Sequence, residues 1–205
     1  QHELCAMPNV DVRPDKIRVF LVSEAAPPNP NDHYYAPGEP LFAQTTVQAF
    51  KDAGADVSSI KDILNLGVYL TTAVKCGKTG YGIKAATIKA CSLILEQELA
   101  QFPNVQAYML MGDVAIKAIN YIAKRDGEGR AIPAGATYKI RGQEYFFREQ
   151  RAFPSYVQAG PAFFVEKSKR RMIAEVNVSY RPDLILLDGV EAFVTGGPAK
   201  GKLVE

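Results

Sequence analysis

Cysteine is scarce in this chain. Cys5, Cys76 and Cys91 are spread through 205 residues, too few and too odd in number for a disulfide framework, and that usage fits a reducing compartment. An excess of charge of one sign is also missing, since 24 Lys and Arg against 22 Asp and Glu leave a formal net charge of +2. That balance excludes a whole-molecule attraction to nucleic acid, so any basic surface must be local. No apolar run approaches the roughly 20 residues of a membrane span, and no charged-then-apolar leader opens the chain. The expectation is a cytoplasmic, monomeric protein with no membrane partner. What is present is a 47% hydrophobic content, enough to bury a full core in one domain with an appendage.

The most informative stretch is residues 17–28, IRVFLVSEAAPP. Ile17 and Val19 to Val22 read as a strand buried on both faces, ending at Ser23-Glu24 and closed by Pro27 and Pro28. In open α/β sheets ligands sit beyond the carboxyl ends of such strands, so Glu24 stands where this architecture puts its chemistry; a turn or helix cap is the alternative role. Residues 29–40 form a long loop with His33, Tyr34 and Tyr35, and loops of that length in compact domains are often functional. His33 is expected to be exposed or hydrogen-bonded.

Residues 45–54 predict a short helix with a Thr cap and a Gly stop, and residues 58–66 one or two further helical turns. Residues 67–74 read as a second strand ending at Lys75-Cys76, and 77–82 as a glycine-rich loop without P-loop spacing. The longest helix is expected over 84–101, with Ile88, Cys91, Leu95 and Leu99 on one stripe. A third strand, 105–111, runs into Gly112-Asp113 and another helix. Residues 137–148 alternate like a hairpin around Gly142, and 149–153 predict a fourth core strand ending at Pro154-Ser155. A helix over 163–174 carries the local basic cluster Lys167, Lys169, Arg170 and Arg171, read as either a solvated face or a phosphate contact. This alternation predicts an α/β fold: a three-layer αβα sandwich around a mainly parallel four-stranded sheet in residues 1–175, with a strand-and-loop extension over 176–205.

The order of motifs resembles the uracil-DNA glycosylase superfamily, most closely its iron–sulfur-containing bacterial and archaeal branch. The resemblance rests on SEAAP (23–27) beside the family's GEAPG, PGEPLF (37–42) beside its base-stacking loop, and TTAVKC (71–76) beside TNVVKC. It continues through LMGDVAIKAI (110–119), the Arg141-Gly142 pair, and FPS (153–155) beside HPS. Thr72 stands where the family carries an Asn, and Phe153 where it carries a His. The resemblance implies base excision from DNA, with Glu24 as the catalytic carboxylate that orients water and stabilises a developing oxocarbenium ion. Ala25, Phe42, Thr72, Phe153 and Ser155 would form the base site, with Phe42, Tyr34 or Tyr35 stacking on a flipped base. Tyr156, Lys169 and Arg170 would contact DNA.

The same branch implies a 4Fe-4S cluster, for which Cys76 and Cys91 match two ligands, Cys5 offers a third and His2 sits at HxxC spacing. Two small buried cysteines without a cluster are the alternative. The segment 181–201 resembles an uncharacterised family associated with ferredoxin-type proteins and reads physically as one strand over 184–187 and a glycine-rich loop. Three functions therefore stand beside one another: a glycosylase acting on uracil or another deaminated base, a binding module that kept the fold without the chemistry, and an iron–sulfur-associated protein.

Overall fold

The structure is a computed structural model that describes residues 10–77, 80, 82–160, 163, 170, 171, 173 and 174. Among the described residues, five strands form one sheet: β1 (Val19–Ala26), β2 (Val68–Gly77), β3 (Ala107–Met111), β4 (Phe146–Phe147) and β5 (Gln150–Ser155), in the order β2-β1-β3-β5-β4. The four expected parallel strands are present, and β4 adds a two-residue antiparallel edge. The helices are α1 (Leu41–Asp52), α2 (Ile60–Asn65), α3 (Ala85–Leu99), α4 (Asp113–Arg125) and α5 (Thr137–Ile140). Among the described residues no helix is long and apolar enough to cross a membrane.

Alternation along the strands sorts the core into two layers. Phe20, Val22, Tyr69, Tyr108 and Leu110 face α3 and α4, while Val19, Leu21, Leu70, Met109 and Phe153 face α1 and α2. Each apolar layer loses its water on folding, which is what holds helices on both sides of the sheet. The chain leaves β1 for β2 in one direction, then crosses back to β3 in the other. The carboxyl ends of β1 and β3 therefore flank the switch point, where open α/β sheets leave a crevice.

Two local expectations are corrected. Helix α1 begins at Leu41, after Pro40, and not at a Thr cap; Thr45 lies inside the helix and its hydroxyl donates back to the Leu41 carbonyl at 3.0 Å. The predicted hairpin around Gly142 is instead the short helix α5, and the tight turn falls at Arg148 and Glu149, with φ of 49° and 64°. These are left-handed conformations that usually favour Asn or Gly. Here Arg148 is tied down by Asp126 at 2.8 Å, by Glu96 at 2.8 Å, and by stacking on Phe147. The predicted 184–187 strand and the whole 176–205 extension lie outside the described residues.

Candidate active site

Glu24 extends from β1 toward the α4 side of the sheet, and its Oε1 accepts a hydrogen bond from the Val114 backbone N–H at 3.4 Å. The carboxylate thus sits on the first turn of a 13-residue helix, whose exposed N–H groups and dipole favour a negative charge there. Gly112 makes this approach feasible. It takes φ +98°, and a Cβ there would come within 2.7 Å of the Glu24 carboxylate and 2.6 Å of Val157. Its own N–H donates to the Ser155 carbonyl at 2.9 Å, locking the end of β5 to the start of α4.

A cleft of about 210 Å³ opens beside this carboxylate, lined by Ser23, Glu24, Ala25, Phe42, Val157 and Gly160 among others. Phe42 comes from the first turn of α1. The 157–160 loop is fastened to that same helix, because the Gly160 N–H donates to the Thr45 hydroxyl at 3.1 Å. The cleft therefore has an anionic wall from β1 and an aromatic wall from α1. Larger grooves of about 710 Å³ and 860 Å³ run along α4 and beside α1 and α2; neither contains Glu24, and the chemistry marks the smaller one.

Of the residues expected from sequence, the fold brings Glu24, Ala25 and Phe42 together on this cleft. Thr72, Phe153 and Ser155 are buried and do not line it. Phe153 packs among the α1-side apolar residues with the Arg151 guanidinium 4.9 Å above its ring. Among the described residues the Thr72 and Ser155 hydroxyls find no hydrogen-bond partner. Tyr156 is half-buried against Ala49, Phe163 and Ile173. Arg170 makes a two-point ion pair with Asp52, at 2.8 and 3.0 Å. Lys169, Cys5 and His2 lie outside the described residues.

Cys91 is buried in the α3-side core and Cys76 packs against the same cluster. Among the described residues no three metal-ligating side chains converge. Two thiols on one apolar cluster are half of a cluster's ligand set.

Sequence reasoning missed two features. His33, expected to be exposed or hydrogen-bonded, is buried, and its Nε2 has no partner among the described residues. Burial, with help from the nearby Lys75 charge, lowers its pKa to about 4. Lys75 itself is fully buried and ion-paired with Glu98 of α3. Glu98 also accepts from the Tyr69 hydroxyl at 3.0 Å and the Thr71 hydroxyl at 2.9 Å. A signal was present: Glu98 lies three residues beyond Leu95 on the buried stripe of α3, and a carboxylate there needs a cation.

Fold and site together define an α/β protein with a helix-anchored carboxylate facing an aromatic ring across a small cleft. A family model for the uracil DNA glycosylase superfamily matches residues 10–192, and the chain belongs to that superfamily. The match runs past residue 175, the expected domain end, into the segment read as an extension. No curated protein matches the chain.

Proposed function

We propose that the chain is a DNA glycosylase hydrolysing the N-glycosidic bond of uracil or another deaminated base, with Glu24 as its catalytic carboxylate. The observation that carries this reading is the position of Glu24, on the N-terminus of α4 and across a cleft from Phe42. A base turned out of the DNA stack would lie against Phe42. Glu24 would then orient a water toward the sugar C1′ and stabilise the positive charge that develops there. The glycosidic C–N bond breaks with its electron pair leaving on the base, the water oxygen bonds to C1′, and the water's proton passes to the carboxylate or solvent. Phe153 offers the leaving base no hydrogen bond, which points to a slow enzyme.

That same residue favours a second reading, a binding module of the same fold without catalysis. Single-turnover cleavage of uracil- and hypoxanthine-containing oligonucleotides separates the two. Under the first reading the wild type forms product and Glu24→Gln loses roughly two to three orders of magnitude in rate. Wild type that binds the oligonucleotides and cleaves neither would support the second.

The reading takes DNA as partner, with Tyr156, Lys169 and Arg170 as contacts, and a monomeric, cytoplasmic protein. A 4Fe-4S cluster on Cys5, Cys76 and Cys91, with His2 in place of the fourth cysteine of the iron–sulfur branch, is its cofactor proposal. Iron content and visible absorbance of anaerobically purified wild type and Cys91→Ser test it. The ferredoxin-associated reading of 176–205 stands or falls with the same measurement.

A further inference from the structure

Residues 156–160 run between the two walls of the cleft and are tied at both ends. At the start, the Ser155 carbonyl accepts the Gly112 N–H at 2.9 Å, where α4 begins and Glu24 is anchored. At the finish, the Gly160 N–H donates to the Thr45 hydroxyl at 3.1 Å, one turn along α1 from Phe42. Between the ties, Val157 and the Glu24 carboxylate share the space above Gly112, since a Cβ there would come within 2.6 Å of the first and 2.7 Å of the second. The segment is a strap that meets the carboxylate's wall with one end and the aromatic wall with the other. Val157, Ala159 and Gly160 line the cleft themselves.

Thr45 closes this strap. It is fully buried, and its hydroxyl is used twice, donating to the Leu41 carbonyl at 3.0 Å and accepting from Gly160. A valine there would keep the shape and remove the acceptor, leaving the N–H of the buried Gly160 unpaired. A buried N–H without a partner costs about as much as a lost hydrogen bond, and moving it to water relieves that cost. For the strap, relief means swinging off α1, which parts Val157 from Gly112 and Gly160 from the Phe42 ring. The same face of α1 continues the contact: Phe42, Thr45, Ala49 and Asp52 fall at helical spacing, where Ala49 packs with Phe163 and Asp52 pairs with Arg170.

We propose that Thr45 is a positioning residue: through the Gly160 N–H it holds the 156–160 strap across the cleft, and so fixes the spacing between Glu24 and Phe42. Thr45 does not line the cleft, and it acts only through the strap. The clasp stands on geometry alone. Its consequence for turnover rests on the glycosylase reading, in which a base lies on Phe42 and the sugar carbon lies before Glu24. Misplacing reacting groups by about 1 Å can lower a rate by about a hundredfold, so a hydroxyl that touches no ligand can still govern the chemistry.

The test records residue-resolved amide hydrogen exchange of the full chain as wild type, Thr45→Ser, Thr45→Val and Gly160→Ala. Single-turnover cleavage of a uracil-containing oligonucleotide at saturating protein is measured alongside. In Thr45→Val the amides of 157–160 should exchange roughly tenfold faster, the effect of one hydrogen bond, while α3 and α4 stay within about twofold of wild type. Thr45→Ser keeps the hydroxyl and should exchange and cleave as wild type does. Gly160→Ala strains the same tie from the strap's side, at φ +99°, and should open the strap even where Thr45→Val does not fold. The opened variants should lose roughly ten- to a hundredfold in single-turnover rate. Exchange that is unaltered, or that rises equally in α3 and α4, marks an ordinary structural hydroxyl and overturns the proposal. An opened strap with wild-type cleavage overturns it too and leaves the glycosylase standing. A wild type that cleaves nothing removes the enzyme, and the exchange data then decide the clasp alone.

Discussion

Thr71 and Thr72 are consecutive residues of β2, both fully buried, and they point to opposite faces of the sheet. On the α3 side, Thr71 belongs to a closed network in which it donates to Glu98 and accepts from Lys75 at 2.6 Å. On the α1 side, the Thr72 hydroxyl meets no partner among the described residues. One strand end thus carries a satisfied polar cluster on one face and an unsatisfied threonine hydroxyl on the other. The difference teaches where this protein spends stability: the paired hydroxyl helps to hold the fold, and the bare one costs it.

The largest expected effect lies in the satisfied cluster. Lys75→Met leaves the Glu98 carboxylate, 4% exposed, buried without its cation, and urea unfolding should show a loss of about 3–5 kcal/mol. Adding Glu98→Leu should restore most of it, because a buried pair is replaced by apolar packing more easily than it is halved.

Next in size is a pH effect at His33, which faces Lys75, Tyr34 and Tyr35. The unfolded imidazole takes up its proton near pH 6.5 and the folded one only near 4, so between these values the unfolded chain binds more protons. Stability contributed by neutral His33 is therefore complete above about pH 6.5 and falls as the pH drops toward 4, by up to about 3 kcal/mol. His33→Gln should flatten that part of a stability-versus-pH curve measured by chemical denaturation.

Much of this architecture was legible in the sequence. The apolar run before Ser23-Glu24, the Gly112-Asp113 junction and the buried stripe of α3 each depend on near neighbours in the chain, and β1, β3, α3 and α4 follow from them. The start of α1 was misread because Thr45 looks like a cap, whereas its hydroxyl is used inside the helix and on the distant Gly160. Glycine signals a turn locally at Gly142, while the tight turn at Arg148 and Glu149 is held by the ion pairs of Arg148 with Asp126 and Glu96. In the site, Glu24 and Phe42 came from motif order. The Lys75–Glu98 pair spans 23 positions, and the meeting of Tyr34 with Thr46 and Ser23 is equally tertiary, so neither has a local period to reveal it.

The sharpest measurement is a matched pair of unfolding curves for Thr71→Val and Thr72→Val. Each variant removes one buried hydroxyl at nearly constant volume. Thr71→Val should lose about 1–3 kcal/mol, because it strips a hydrogen bond from a buried ion pair. Thr72→Val should be neutral or gain up to about 1 kcal/mol, because it removes an unpaired polar group. Opposite signs are the expected result. Equal losses from the two variants would show that the Thr72 hydroxyl is satisfied within the fold, and would contradict the distinction between a paired threonine on one face of β2 and an unpaired one on the other.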